Sequence, residues 1–137
     1  MKYPPSPQEK VGGIVYFARM LGKIRLMDAG DLPPDYHANL GKAFDKRCAD
    51  FLGVQYEALR EKTLGGLGDG QALEWCFENG ARPTDEQIEV WNGFMTKRGW
   101  NDEASEILVR RKKESGFGSR DEIQTMFQYI DADEGRL

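Results

Sequence analysis

Hydrophobic positions recur with the period of an α-helix along almost the whole chain, and no stretch combines sustained alternation with β-branched enrichment. Counting 100° per residue, Val11, Ile14, Phe17, Ala18, Leu21 and Ile24 share one face, which predicts a first helix over about residues 8–29. Asp28-Ala29-Gly30 ends it. Leu32-Pro33-Pro34 cannot continue a helix, because the prolines lack an N–H and restrict the residue before them, so a loop is expected across 30–38. Leu40, Phe44, Cys48, Phe51 and Leu52 predict a second helix stopped by Gly53, and Tyr56 and Leu59 a shorter third. A fourth spans about 69–79, with Asn79-Gly80 read as a left-handed stop. Thr84-Asp85-Glu86-Gln87 is a capping box that opens a fifth helix carrying Ile88, Trp91 and Met95 as far as Gly99. Ala104, Ile107 and Leu108 mark a sixth, ending at Gly116. A second box, Ser119-Arg120-Asp121-Glu122, opens a seventh with Ile123, Phe127 and Ile130.

These elements predict an all-α fold: one domain over 1–137 of six or seven short helices, without substantial sheet. Residues 1–7, with three prolines, form an extended arm, and 131–137 an acidic tail. The expected core draws on Ile14, Phe17, Leu21, Leu40, Phe44, Trp91, Ile107 and Phe127. Gly12, Gly13 and Gly22 each cost a helix about 1 kcal/mol relative to Ala, so close packing is expected to justify them.

Charge changes this picture little. The net charge is -4, with residues 1–30 at +3 and residues 69–90 at -5. Without a strongly basic face or a reading motif, nucleic acid is an unpromising partner. The segment Leu73–Met95 can be drawn as helix-turn-helix, but Asp85-Glu86 would present acids to phosphate at the end that reads bases. No apolar run approaches the roughly 20 residues of a membrane span, and the prolines occupy the place of a signal sequence's apolar region. A cytoplasmic protein is expected. Cys48 and Cys76 stand 28 positions apart among apolar neighbours and read as buried, reduced thiols. With a single histidine, no metal site is expected, and no cofactor. Gly65-Gly66-Leu67-Gly68-Asp69-Gly70 lacks a preceding strand and a Lys-Ser/Thr ending, so it reads as a turning linker rather than a phosphate loop. Asp131-x-Asp133-x-Gly135 lacks the spacing of a calcium loop.

Candidate chemistry lies where the helical period puts polar residues on apolar faces. Arg25 falls within about 20° of Ile14 and Asp28 within about 40°, so the two are expected to clamp each other at the rim of the core, or Arg25, helped by Lys23 or Arg19 from other faces, to hold an anionic ligand. Arg47 sits beside Leu40 and Phe51, and Asn92 between Ile88 and Met95, where it bonds a neighbouring backbone or orients a ligand. His37 and Asp45 are the candidate acid or base. Trp75 cannot share one narrow stripe with both Cys76 and Phe77. It and the run Arg110, Arg111, Lys112 and Lys113 are the candidate contact surface.

The combination of Tyr3-Pro4-x-Ser6-Pro7, Gly12-Gly13, Lys23-Ile24-Arg25, Phe44-Asp45-x-x-Cys48, Trp75-Cys76, Trp91-Asn92, Arg98-Gly99-Trp100 and Asp131-Ala132-Asp133-Glu134-Gly135-Arg136 resembles a bacterial family catalogued as a domain of unknown function, number 5069. The resemblance runs from about Tyr3 to Arg136. It implies a compact single-domain bacterial protein and assigns no activity, cofactor or catalytic residue. The family pattern carries an acid more often than Gly22 before Lys-Ile-Arg, so any role of that acid is missing here.

Two functions compete. Without a convergent catalytic motif, a small intracellular, non-enzymatic binding or regulatory module with a protein partner comes first. The alternative is an enzyme or carrier for a small anionic metabolite using Arg25, Asn92 and His37.

Overall fold

The computed structural model describes residues 2–137. The fold is mostly helical, as the periodicity predicts, and its departures from the sequence reading lie at the element boundaries. The chain opens with a hairpin of β1 (Lys10–Val11) and β2 (Ile14–Val15), antiparallel, with Lys10 opposite Val15 and Val11 opposite Ile14. Gly12 and Gly13 form its turn with φ of 56° and 79°, the left-handed values that a two-residue hairpin demands. The first helix, α1 (Phe17–Asp28), therefore starts nine residues later than expected, and the two glycines serve a turn rather than helix packing. Gly22 does serve packing: a Cβ there would strike Pro5 of the N-terminal arm.

From Phe17 to Ile24 every residue of α1 is buried, the mark of a helix surrounded by protein. A 3-10 turn, Pro34–Asn39, occupies the Pro-rich crossing. There follow α2 (Phe44–Leu52), α3 (Tyr56–Leu64), α4 (Asp69–Asn79), α5 (Asp85–Lys97), α6 (Ser105–Glu114) and α7 (Met126–Asp133). The main core gathers Phe17, Met20, Leu21 and Ile24 of α1 against Leu52, Leu59, Leu73 and Met95 of α2 to α5. A smaller cluster of Leu108, Ile123 and Met126 joins α6 to α7. Leu40, Phe44 and Phe51 are only half-buried, and Ile107, expected inside, is 39% exposed.

Gly53 ends α2 in the left-handed conformation, and the Thr84–Gln87 box caps α5 reciprocally at 3.1 and 2.8 Å. Two other signals misled. Gly80 is not left-handed (φ -127°); it is glycine because the carbonyls of Leu52 and Gly53 crowd the place where a Cβ would stand. The Ser119–Glu122 box caps nothing. That segment turns, and α7 is capped instead by Thr125, whose hydroxyl accepts from the Gln128 N–H at 3.2 Å.

Both ends of the chain are tied down. Ser6 and Gln8 donate to Asp131 at 3.0 and 3.1 Å, and Arg136 donates to the Pro4 carbonyl. The acidic segment from 131 is thus not a free tail: Asp131 and Glu134 are buried. Among the described residues no helix is long and apolar enough to cross a membrane.

Candidate anion-binding cleft

Because α1 is covered on all sides from Phe17 to Ile24, the two cations of that stretch, Arg19 and Lys23, must be buried too, and a buried cation requires a partner. Arg19 meets the carboxylate of Glu134 in a two-pronged pair at 2.9 and 2.7 Å and donates to the Pro5 carbonyl at 3.1 Å. Tyr36 and Arg136 also donate to Glu134, at 2.5 and 2.6 Å. Burial opposes the charge on Glu134, yet the bonds from Arg19 and Tyr36 outweigh it and hold the carboxyl below its usual range.

One helical turn on, Lys23 Nζ lies 2.7 Å from Asp45 Oδ1 and donates to Tyr16 Oη at 3.0 Å. Tyr16 in turn donates to the same Asp45 oxygen at 2.6 Å, and the Gly41 N–H satisfies Oδ2 at 3.0 Å. Asp45 is wholly buried and Lys23 is 7% exposed. Burial pulls the Lys23 amine below its ordinary value, against the pull of Asp45, while burial and then Asp45 push the Tyr16 phenol up. The rings of Tyr16, Phe44 and Phe127 pack about this triad, with centroids 5.6 to 6.1 Å apart.

Above the two pairs opens a cleft of about 550 Å³. Arg19 and Lys23 reach it from α1, Lys42 and Arg47 from the start of α2, Arg98 from the end of α5, and Arg111 from α6. Asp35, Glu114, Asp133 and Glu134 are the acids on its walls. Glu134 is consumed by Arg19, and Glu114 faces Arg110 at 3.7 Å. Among the described residues Lys42, Arg47 and Arg111 have no carboxylate partner. Arg47 and Arg98 lie over the ring of Phe94, at 5.2 and 5.3 Å. In a chain of net charge -4 this is a local excess of positive charge, in a recess where the field of each cation is less screened than on open surface.

Backbone strain borders the same cleft. Tyr16 (φ 76°) and Ala43 (φ 52°, ψ -121°) hold left-handed values without being glycine, at a cost of about 1–3 kcal/mol each. Both line the recess. The Tyr16 N–H is fixed by the Pro7 carbonyl at 2.9 Å, and its hydroxyl by Asp45, which together over-determine the strained residue.

The residues marked out by the sequence do not gather here. Arg25 pairs with Asp69 at 2.6 Å and the Leu67 carbonyl at 3.1 Å, fastening α1 to the start of α4; Asp28 is exposed and is not its partner, so the expected clamp is absent. His37 bonds the Leu32 carbonyl at 3.0 Å from an exposed position. Asn92 accepts from the Val15 N–H at 3.1 Å and donates to the Gly13 carbonyl at 2.8 Å, holding the hairpin against α5. Of that group only Asp45 is tied to the cleft, through its pairing with Lys23, and it does not itself line it.

The basic run divides as well. Arg111 lines the cleft, Lys112 caps the carbonyls of Arg120 and Ile123 at 2.8 and 2.9 Å, and Arg110 and Lys113 are exposed. Trp75 is half-buried against the core. The sequence marks Arg19 and Lys23 only as helpers of Arg25 on other faces, not as buried, and does not mark Tyr16. The signal was present in the apolar residues all round α1, which exclude a solvated face for its cations.

No curated protein matches the chain. A family model matches residues 1–136, almost the full length, and by it the chain belongs to the family described as Domain of unknown function (DUF5069).

Proposed function

We propose that the protein is a binding module for a small anion of more than one charge, a phosphorylated or polycarboxylate metabolite, held in this cleft. The observation that carries the reading is the convergence of Lys42, Arg47, Arg98 and Arg111 on one recess, three of them without a carboxylate partner. Lys23 adds to it. An ammonium has three donors, and only Asp45 and Tyr16 take them up. Hydrogen bonds to charged groups are worth about 1.5–3 kcal/mol each, so a few such contacts give micromolar affinity after the cost of association. The reading keeps the anionic-ligand class expected from the sequence and moves it from Arg25, Asn92 and His37 to other residues. Buried thiols at Cys48 and Cys76, the latter pushed up to about 12 by burial, favour a reducing compartment such as the cytoplasm.

Thermal unfolding with orthophosphate, pyrophosphate and a panel of phosphorylated and polycarboxylate metabolites tests the proposal, with sodium chloride at matched ionic strength as control. A ligand at about 100 times its Kd adds about 2.7 kcal/mol. That rise in Tm is expected for at least one multivalent anion, and it is lost in Arg47→Ala and Arg111→Ala. A shift equalled by sodium chloride, or unchanged in both variants, contradicts the proposal.

A second reading, the docking of a protein partner, is favoured by the groove between α2 and α5. Its walls include the stacked Phe51 and Trp91 rings, and Val90 is 66% exposed there. Under that reading Val90→Lys releases a co-purifying protein without lowering Tm.

A further inference from the structure

The Lys23–Asp45–Tyr16 triad is more than an anion anchor needs. Asp45, at 2.7 Å and wholly buried, cancels most of the charge that Lys23 would offer a phosphate, and the cations of the rim already supply that charge. Nor is stability a reason to keep it, since a buried ion pair replaced by well-packed apolar groups of similar volume is often neutral or stabilising. What the triad does hold is an amine at the wall of a cleft, with a carboxylate and a phenol both within proton-transfer distance of its nitrogen.

Resting on the anion-binding reading and deepening it, we propose that Lys23 condenses with the carbonyl of a phosphorylated aldehyde or ketone, whose phosphate is held by the arginines of the rim. The Lys23 ammonium passes a proton to Asp45, directly or through the Tyr16 hydroxyl, which lies 3.0 Å from the nitrogen and 2.6 Å from the carboxylate. The freed lone pair attacks the carbonyl carbon, and the carbonyl π pair moves to oxygen. That oxygen takes two protons, both from the Lys23 nitrogen by way of Asp45 and Tyr16, and leaves as water while the carbon–nitrogen double bond forms. Ammonium and carbonyl thus become iminium and water with no net uptake or release of a proton. The positive charge leaves the nitrogen with the first proton and returns to it in the iminium, so the Asp45 pair that burial requires is restored at the end. Burial also lowers the free-energy cost of the neutral amine, consistent with the depressed value at Lys23.

The test is to incubate the full chain with glyceraldehyde 3-phosphate and sodium cyanoborohydride, which reduces an iminium to a stable secondary amine, and to locate the adduct by peptide mass mapping. Lys23 is expected to be modified at least tenfold faster than the exposed Lys97 and Lys113, a selectivity that pyrophosphate abolishes and that glyceraldehyde without its phosphate does not reproduce. Tyr16→Phe keeps the ring packing and removes the relay. It is expected to slow the modification of Lys23 by about 100-fold, the lower end of general acid–base effects, while Lys97 and Lys113 react at the wild-type rate. Mapping on the wild-type chain decides the matter even where substitution of Lys23 prevents folding. Pyrophosphate stabilisation without preferential modification of Lys23 overturns this inference and spares the anion-binding reading; absence of both overturns the two together.

Discussion

Asn92 commits both ends of its amide to backbone groups nearly 80 positions earlier, the N–H of Val15 and the carbonyl of Gly13. Replacement by Ala strips the hairpin of two partners, and stability is expected to fall by about 1–3 kcal/mol in denaturant unfolding, with Asn92→Asp, which keeps the acceptor, losing less. That Asn92 sits on an inward face was legible from its place between Ile88 and Met95. Its partners were not, because the hairpin was itself hidden under a helical pattern. Arg25 teaches the same lesson. The need for a carboxylate followed from its angular position, but Asp28 turns to solvent and the acid comes from Asp69, 44 residues away. Arg19 and Lys23 reverse the case: expected only to assist Arg25 from other faces, they are the buried cations of α1, while Arg25 is partly exposed.

At the scale of elements, periodicity located every α-helix; it misplaced the start of α1 at Gly12-Gly13 and of α7 at Ser119, and placed the end of α4 correctly while misreading why Gly80 is glycine. Gly12-Gly13 lies within a run whose apolar spacing suits a helix, and strands of two residues are too short to show alternation. Gly80 has the sequence context of a left-handed stop but is required by the approach of α4 to the end of α2, where the Ala81 N–H donates to the Leu52 carbonyl at 2.9 Å. A methyl group at Gly80 meets backbone, which cannot swing aside. Gly80→Ala is therefore expected to cost about 1–3 kcal/mol or more in equilibrium unfolding. Gly116→Ala, where nothing lies within reach of the added Cβ but φ is 79°, carries only the left-handed penalty of about 1–2 kcal/mol.

At the scale of the whole molecule, Glu134 is the joint between the two ends of the chain, since it pairs with Arg19 of α1 and with Arg136, which also reaches the Pro4 carbonyl. Its carboxyl is held below the usual range in the fold, so the unfolded chain binds its proton more readily. The stability it contributes is therefore fully present above the unfolded value of about 4.3 and is lost as pH falls through the lower folded value. Glu134→Gln leaves Arg19 buried without its counter-charge and is expected to cost about 3–5 kcal/mol near pH 7. The gap from the wild-type chain narrows below about pH 4 in acid titrations of the unfolding midpoint. None of this pairing was legible in sequence, where residues 131–137 read as an acidic tail, because partners 115 residues apart meet only once α1 and α7 have packed.

The cleft stands at the same scale, being assembled from cations on three helices, α1, α2 and α6, and from Lys42 and Arg98 on the segments beside α2 and α5. Its occupancy is read most directly by titrating pyrophosphate into the isotope-labelled protein and following backbone amide resonances at constant ionic strength. The account predicts that Lys23, Ala43, Arg98 and Arg111 shift together and saturate with one ligand per chain, while Arg25, His37 and Asn92 stay in place. Shifts that fail to saturate, or that scatter over the exposed lysines and spare the cleft, contradict it.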